Sequence, residues 1–191
     1  MFKLSTIACA LALVGSAWSG VAQAAPVING GFETGNFAGW TQFGNTGSTA
    51  VGIAAQYVHS GTYGSAFGAV GSPGGIFQTL STTAGASYLV SFWLSIDSGT
   101  PNSMTFNWDG GADELSIVNG PGQGMTQYSY LLTASSAATD LRFNIQHNPA
   151  YYGLDDVSVT EVVSAVPEPG SLPLAGLALG GLALGLRRKP G

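Results

Sequence analysis

Short apolar runs separated by glycine-rich turns dominate the sequence between residues 25 and 165. Turn-forming residues return about every ten positions, and no stretch keeps its apolar residues at the 3.6-residue spacing of a helix. This pattern is typical of an all-β sandwich. It predicts ten strands, at residues 40–43, 50–54, 65–70, 76–80, 87–96, 103–108, 114–118, 127–133, 140–146 and 153–162.

Two of these strands alternate clearly enough to separate a core side from an outer side. The core side carries Tyr88, Val90, Phe92, Leu94 and Ile96 on one strand and Leu141, Phe143 and Ile145 on the other. The outer side carries Trp93 on the first strand and Arg142, Asn144 and Gln146 on the second. If the two strands are neighbours, an indole lies beside a guanidinium and two amides, a combination suited to binding a sugar ring. The alternative is that Trp93 packs under a loop.

The first 24 residues have the order of a secretory signal peptide. Lys3 precedes an apolar run at residues 4–14, and small side chains follow at Ala22 and Ala24. We therefore expect export, with signal peptidase cutting after Ala24. A short anchoring helix is the alternative, although the apolar run is short for a membrane span.

Residues 166–191 combine a Pro-Glu-Pro triplet, an uncharged run at 171–186 and a basic cluster, with the defining residues Pro167, Glu168, Pro169, Arg187, Arg188 and Lys189. An apolar run followed by positive charges is a stop-transfer pattern. The run reaches only about 24 Å as a helix, which suits a temporary anchor. The chain thus divides into residues 1–24, 25–165 and 166–191.

This three-part segment resembles the PEP-CTERM sorting signal of Gram-negative bacteria, also known as the ice-binding protein C-terminal domain. The resemblance implies a single transmembrane helix and processing by an exosortase near the Pro-Glu-Pro motif. It also implies a route through the inner membrane to the cell surface or the extracellular space.

The middle segment is strongly acidic. It holds one of the five basic residues, Arg142, and nine of the ten acidic residues, so its formal charge is 1 − 9 = −8. Such a charge disfavours nucleic acid and anionic lipid as partners. The only cysteine, Cys9, lies in the predicted signal peptide, which excludes disulfide and thiol chemistry from the exported domain.

Motifs for catalysis are missing from the sequence. His59 and His147 lack metal-binding spacing, and neither a GxSxG elbow nor a phosphate-binding glycine loop occurs. Asp109, Asp113 and Glu114 surround the turn at residues 110–111, where solvated acids are common. A glycoside hydrolase using two of these carboxylates is the alternative to a non-catalytic protein.

Two distant motifs carry a second resemblance. NGGFE at 29–33, followed by GW at 39–40, and LDDVSV at 154–159 resemble the galactose-binding-like jelly rolls, in particular carbohydrate-binding modules of families four, nine and twenty-two. The resemblance implies a jelly-roll β-sandwich with a structural calcium ion that joins the N-terminal loop to the last strand. That role carries over to Glu33 and Asp155, and less directly to Asp156.

Strand alternation also gives Asp155 a special position. It falls in line with Val157 and Val159, so we expect its carboxylate to point inward near a sheet end. A buried unpaired carboxylate is costly, and Ca²⁺ would neutralise it with further oxygen ligands from glycine-rich loops. The alternative is that Glu33 and Asp155 accept backbone N–H bonds.

Together these features predict an exported, non-catalytic surface protein that binds polysaccharide or contributes to an extracellular matrix. The competing interpretation is a structural surface protein without a defined ligand.

Overall fold

The computed structural model of the protein describes residues 27–148 and 150–162. In those ranges it contains one 3₁₀ turn, Ala55–Tyr57, and ten strands. The strands are β1 Thr41–Gly44, β2 Thr49–Gly52, β3 Gly64–Phe67, β4 Gly74–Ser81, β5 Ser87–Ile96, β6 Asn102–Trp108, β7 Asp113–Val118, β8 Gln123–Thr133, β9 Ala138–His147 and β10 Tyr152–Glu161. Each predicted strand is present, with shifts at the ends. The largest shift is at β8, which begins four residues early because it pairs along nearly all of β5.

The ten strands form two five-stranded antiparallel sheets. The front sheet has the order β1-β4-β9-β6-β7, and the back sheet has the order β2-β3-β10-β5-β8. This arrangement confirms the predicted all-β jelly-roll sandwich. The predicted signal peptide and C-terminal helix lie outside the described residues. Within the part of the chain that the structure describes, no helix is long and apolar enough to cross a membrane.

Aromatic rings join the two sheets at the centre of the core. Phe92 of the back sheet contacts Phe143 and Phe106 of the front sheet, with ring centroids 5.0 and 5.2 Å apart. All three rings are fully buried, as are the other residues predicted for the core side of β5 and β9, apart from 3% exposure at Ile96. Alternation therefore identified the core side of both strands correctly.

A β-bulge in β10 changes the direction of Asp155. Asp155 pairs with Trp93 and Ser158 pairs with Ser91, so β10 has one residue more than β5 between these pairs. The extra residue lets Leu154 and Val157 both face the core, and Asp156 adopts a φ of 48°. Asp155 consequently shares the outer side with Trp93. The predicted inward direction is wrong, although the side chain is fully buried beneath the loop before β3.

The N-terminal motif packs on this bulge. Val157 donates its N–H to the Gly30 carbonyl (3.0 Å), and a Cβ on Gly30 would lie 2.0 Å from the Val157 carbonyl oxygen. Phe32 is fully buried and stacks on Trp40, whose indole N–H donates to the Asn29 carbonyl (3.1 Å). The NGGFE and GW segments thus close the sandwich at the end where β10 is bulged.

Candidate functional site

The outer side of the front sheet carries a line of polar and aromatic side chains, which we call the front face. Its centre is β9, where the register places Arg142 between Phe77 of β4 and Asn107 of β6, and Asn144 opposite Thr105 of β6. All members are partly exposed. The front face consists of Phe43, Phe77, Ser103, Thr105, Asn107, Arg142, Asn144 and Gln146.

Two phenylalanine rings hold the guanidinium of Arg142. Its Cζ lies 4.4 Å from the ring centroid of Phe43 and 4.8 Å from that of Phe77. The Phe43 ring fits beside Gly75, where an added Cβ would lie 3.1 Å from Phe43 Cζ. Among residues 27–148 and 150–162 the structure shows one ion pair, between His59 and Asp156, so Arg142 has no acidic partner there.

Trp93 is not part of this face. It lies on β5 of the back sheet, whereas Arg142, Asn144 and Gln146 lie on β9 of the front sheet. The predicted grouping of Trp93 with those three residues is therefore wrong. The imidazole of His59 covers the indole, with centroids 3.5 Å apart and planes at 10°, which matches the alternative that Trp93 packs under a loop.

Sequence reasoning missed the two aromatic members of the front face. The sequence predicts a strand that includes Phe77, but that prediction does not consider its outward position between the buried Ile76 and Gln78. An aromatic residue at an outward strand position is such a signal. Phe43 could not be matched to Arg142 from sequence, because only the pairing of β1 with β4 brings its ring near β9.

The acidic residues expected to bind calcium fasten the loop before β3. Glu33 accepts backbone N–H bonds from Thr62 and Tyr63, both at 3.0 Å. Asp155 Oδ2 accepts the N–H of His59 at 2.7 Å and that of Ser60 at 3.3 Å. These bonds match the alternative stated for the sequence, in which Glu33 and Asp155 accept backbone N–H bonds. They attach the loop to a residue near the start of the domain and to one near its end.

Asp156 also holds this loop, and we call Glu33, Asp155 and Asp156 together the loop anchor. Its Oδ2 lies 2.6 Å from His59 Nδ1, and its Oδ1 accepts a hydrogen bond from the Ser60 hydroxyl (3.1 Å). Burial raises the pKa of the neighbouring Asp155 carboxyl above its ordinary value, while N–H bonds from His59, Asp156 and Ser60 act in the opposite direction. The net effect shows that desolvation outweighs these bonds.

The side chains of the loop anchor do not form a complete metal site by themselves. No group of three or more His, Cys, Asp and Glu side chains in the described ranges is placed to hold one. The carboxylates still have unused lone pairs, since each ionised carboxylate can accept about four bonds. A calcium ion held by Glu33, Asp155 and Asp156 would therefore take further ligands from backbone carbonyls, as Ca²⁺ commonly does, and would offset their negative charge.

The back sheet has a concavity of a different kind. A pocket of about 420 Å³ lies over β2 and β3, with small side chains on its floor and the rings of Tyr57 and Tyr151 on its wall. The Tyr57 hydroxyl donates to Asp97 (2.6 Å), and burial, with this bond, raises the Tyr57 pKa to about 12. The pocket therefore offers few free hydrogen-bonding groups compared with the front face.

Comparisons with known proteins agree with this architecture. The family model described as a carbohydrate binding domain (families 4 and 9) matches residues 24–151, and the model of the PEP-CTERM protein-sorting motif matches residues 165–189. No curated protein matches the chain. The sorting motif implies exosortase processing, and the two matches together indicate an exported protein of the cell surface or extracellular space.

Solved structures share the fold. TmCBM61, solved with β-1,4-galactotriose, has a TM-score of 0.55 at 20% identity, covering 70% of this chain and 96% of that one. The CBM22-1–GH10 modules of Clostridium thermocellum xylanase 10B, solved with xylohexaose, have a TM-score of 0.51 at 19% identity, covering 75% and 30%. Tailspike protein 4 of bacteriophage CBA120 has a TM-score of 0.53 at 16% identity, covering 71% and 21%.

The chain spans less than a third of the xylanase and tailspike structures, so these two likenesses concern one domain of each. With a family model matching residues 24–151 and a jelly-roll sandwich observed over the same segment, the chain belongs to the carbohydrate binding domain family of types 4 and 9 and carries a PEP-CTERM sorting motif.

Proposed function

We propose that the exported domain binds a polysaccharide through its front face, without catalysis, and so attaches itself to the extracellular matrix. The observation that carries this proposal is the guanidinium of Arg142 lying over two phenylalanine rings, in line with the amides of Asn144 and Gln146. Apolar rings beside a few fixed polar groups are what sugar recognition requires.

The length of the front face favours an extended ligand. Arg142, Asn144 and Gln146 are alternate residues on one strand, so their side chains leave the sheet at intervals of about 7 Å and span about 13 Å. Hydroxyl groups of Ser103 and Thr105 lie opposite them on β6. A chain of several sugars can contact this line at several points, whereas one monosaccharide would reach only part of it.

The related structures support a glycan but not a particular one. TmCBM61 was solved with a galactose trisaccharide, and the xylanase modules were solved with a xylose hexasaccharide. The same fold therefore accompanies different sugar backbones. The identity of the backbone must come from binding measurements on this chain.

The acids considered for hydrolysis support a non-catalytic function. Asp109 accepts the backbone N–H of Ser135 (2.9 Å), which holds the turn after β6. Asp113 and Glu114 are exposed at the start of the edge strand β7. These positions are those of solvated turn and edge acids.

Affinity electrophoresis against a panel of soluble polysaccharides tests the proposal. Gln146→Ala on the front face is compared with Gln127→Ala, an exposed glutamine on β8 of the back sheet. We expect retardation of the wild type by at least one polysaccharide, about tenfold weaker binding for Gln146→Ala, and no change for Gln127→Ala. No retardation by any polysaccharide would favour the structural surface protein, and equal losses in both variants would exclude the front face.

We also propose calcium as a stabilising ion of the loop anchor. Three acidic side chains lie around Gly31, where an added Cβ would be 3.1 Å from Asp156 Oδ1 and 3.9 Å from Asp155 Oδ1. The imidazole of His59 is the basic side chain that contacts them in the described ranges. The spare acceptor capacity of the carboxylates and the family resemblance support this assignment.

A further inference from the structure

We propose that the glycan bound on the front face carries occasional carboxylate groups, as a mainly neutral chain with uronic acid residues does, and that Arg142 is their counter-ion. This inference rests on the proposed function. It concerns the chemical class of the ligand, and it is tested separately from the ability to bind glycan.

Among the described residues Arg142 has no acidic partner, although the domain is acidic. It is the only basic residue among 25–165, where nine acids are available, yet it forms no ion pair with any described residue. Asp140 lies on the same side of β9, two residues away, but its Oδ1 accepts the hydroxyl of Thr79 (2.6 Å). The carboxylate of Asp140 is thus bound to β4 rather than to Arg142.

The surroundings of Arg142 leave its N–H groups available. The guanidinium Cζ lies 4.4 and 4.8 Å from two phenylalanine rings that are themselves neighbours, with centroids 6.2 Å apart, and attraction between the cation and the rings fixes its position. The N–H donors of a guanidinium lie at its edges, in a fork that matches a carboxylate. A preorganised fork of this kind loses little side-chain entropy when a carboxylate binds.

Charge along the front face places the carboxylate at one end. Asp140 lies two residues before Arg142 on β9, and Asp113 lies opposite Asn107 on the edge strand β7, so both repel an anion from the N-terminal end of β9. Towards the other end come Asn144 and Gln146, which are uncharged. A ligand carboxylate is therefore best accommodated between Arg142 and Asn144.

The overall charge limits how many carboxylates the ligand can have. A formal charge of −8 over residues 25–165 repels a uniformly charged polyuronate at every sugar. Carboxylates separated by several neutral sugars interact weakly with the remaining acids, because salt screens charges beyond about 8 Å. The acids of the domain thus favour a sparsely charged glycan, and Arg142 binds the sugar that carries the carboxylate.

The experiment uses a glycan array of matched pairs, followed by titration calorimetry. Each pair is a neutral oligosaccharide that carries one glucuronic acid and the same compound after reduction of its carboxyl group to the alcohol. Oligogalacturonate serves as the uniformly charged ligand. We expect at least about tenfold tighter binding of one acidic member over its reduced partner, and weaker binding of oligogalacturonate than of that member.

Variants then separate Arg142 from general binding. Arg142→Gln is expected to bring the affinity ratio of acidic to reduced ligand close to one, and Arg142→Lys is expected to keep part of it. Gln146→Ala is expected to weaken both ligands equally. Melting temperatures of the variants establish that each is folded before binding is measured.

Three results would overturn the inference. Equal binding of both members of every pair, or tighter binding of the reduced member, would show that Arg142 does not recognise a carboxylate, and it would leave the proposed function intact. Oligogalacturonate as the tightest ligand would contradict sparse charge. No binding anywhere on the array would contradict the proposed function itself.

Discussion

The imidazole ring of His59 lies flat on the indole ring of Trp93, with centroids 3.5 Å apart and planes at 10°. Asp156 holds the imidazole there through Nδ1, at 2.6 Å. The outward aromatic residue of β5 is thus covered by a loop, and the residue that fixes the cover belongs to the bulge of β10. This stack excludes Trp93 from a free sugar-binding surface.

Removing the cover should expose Trp93 without affecting glycan binding. In His59→Ala we expect stronger acrylamide quenching of tryptophan fluorescence, because Trp40 and Trp108, the other indoles of the domain, are at least 93% buried. We expect a stability loss of about 0.5–1.5 kcal/mol from the lost stack. Unchanged quenching would contradict the stack, and weakened glycan binding would contradict the assignment of the ligand to the front face.

Asp155 should stabilise the fold through the N–H bonds it accepts. In Asp155→Asn one carboxylate oxygen becomes an NH₂ group, which cannot accept a hydrogen bond. Replacing Oδ2 removes the bonds from His59 and Ser60, and replacing Oδ1 removes the bond from Asp156. We expect a loss of about 1–3 kcal/mol in the free energy of unfolding, measured by chemical denaturation. Asp97→Asn tests a partly exposed carboxylate with a single side-chain partner, Tyr57, and should cost less.

The stability difference between wild type and Asp155→Asn should depend on pH in the presence of a chelator. Burial raises the folded-state pKa of Asp155 above its ordinary value of 3.8, so its ionisation lowers stability as pH rises through the folded pKa. The stability difference between wild type and Asp155→Asn is therefore expected to be largest below pH 3.8, to shrink as the pH rises to the folded pKa, and to stay constant above it. A difference that grows with pH would indicate a lowered pKa instead.

Calcium should raise the melting temperature of chelator-treated wild-type protein if it binds at the loop anchor, since a ligand of the folded state stabilises it by mass action. We expect this rise in differential scanning calorimetry, and we expect Asp155→Ala to abolish it. Magnesium provides the control and should raise the melting temperature less, because Mg²⁺ takes fewer ligands and requires a stricter octahedral geometry. No shift in the wild type would leave N–H bonding as the role of these acids.

Gly30 should be irreplaceable for a steric reason. A Cβ at this position would lie 2.0 Å from the backbone oxygen of Val157, so Gly30→Ala must separate the N-terminal loop from β10. We expect a loss of about 1–3 kcal/mol or failure to fold. Gly124→Ala in β8 is the control, because no atom lies within 4 Å of an added Cβ there, and it should change stability by less than about 0.5 kcal/mol.

Processing at both ends can be read from the intact mass of protein recovered from the native host. We expect a mature N-terminus at Ala25 and loss of the basic cluster at residues 187–189, as the sorting motif at 165–189 implies. Substitution of Glu168 within the Pro-Glu-Pro triplet is expected to retain the C-terminal segment. A wild-type mass that includes residues 187–191 would contradict processing.

The sequence by itself determined the strands and the core. Alternation in β5 and β9 identified eight core residues, because burial of one side of a strand imposes a period of two whatever the pairing. The end motifs indicated the jelly roll through their resemblance to carbohydrate-binding modules, and the structure gives their residues a local role. Gly30, Phe32 and Trp40 meet needs of close packing and aromatic burial that short segments can show.

Only the tertiary structure decided which outer residues belong together. Alternation says that Trp93 and Arg142 both face away from the core, but the two sheets of a sandwich have opposite outer sides, and strand pairing alone assigns a strand to one of them. The bulge at Asp156 likewise reverses the direction of Asp155, because one inserted residue breaks the period on which the inward prediction depended. The front face exists because β1, β4, β9 and β6 are neighbours in one sheet, a relation between distant segments that no local pattern contains.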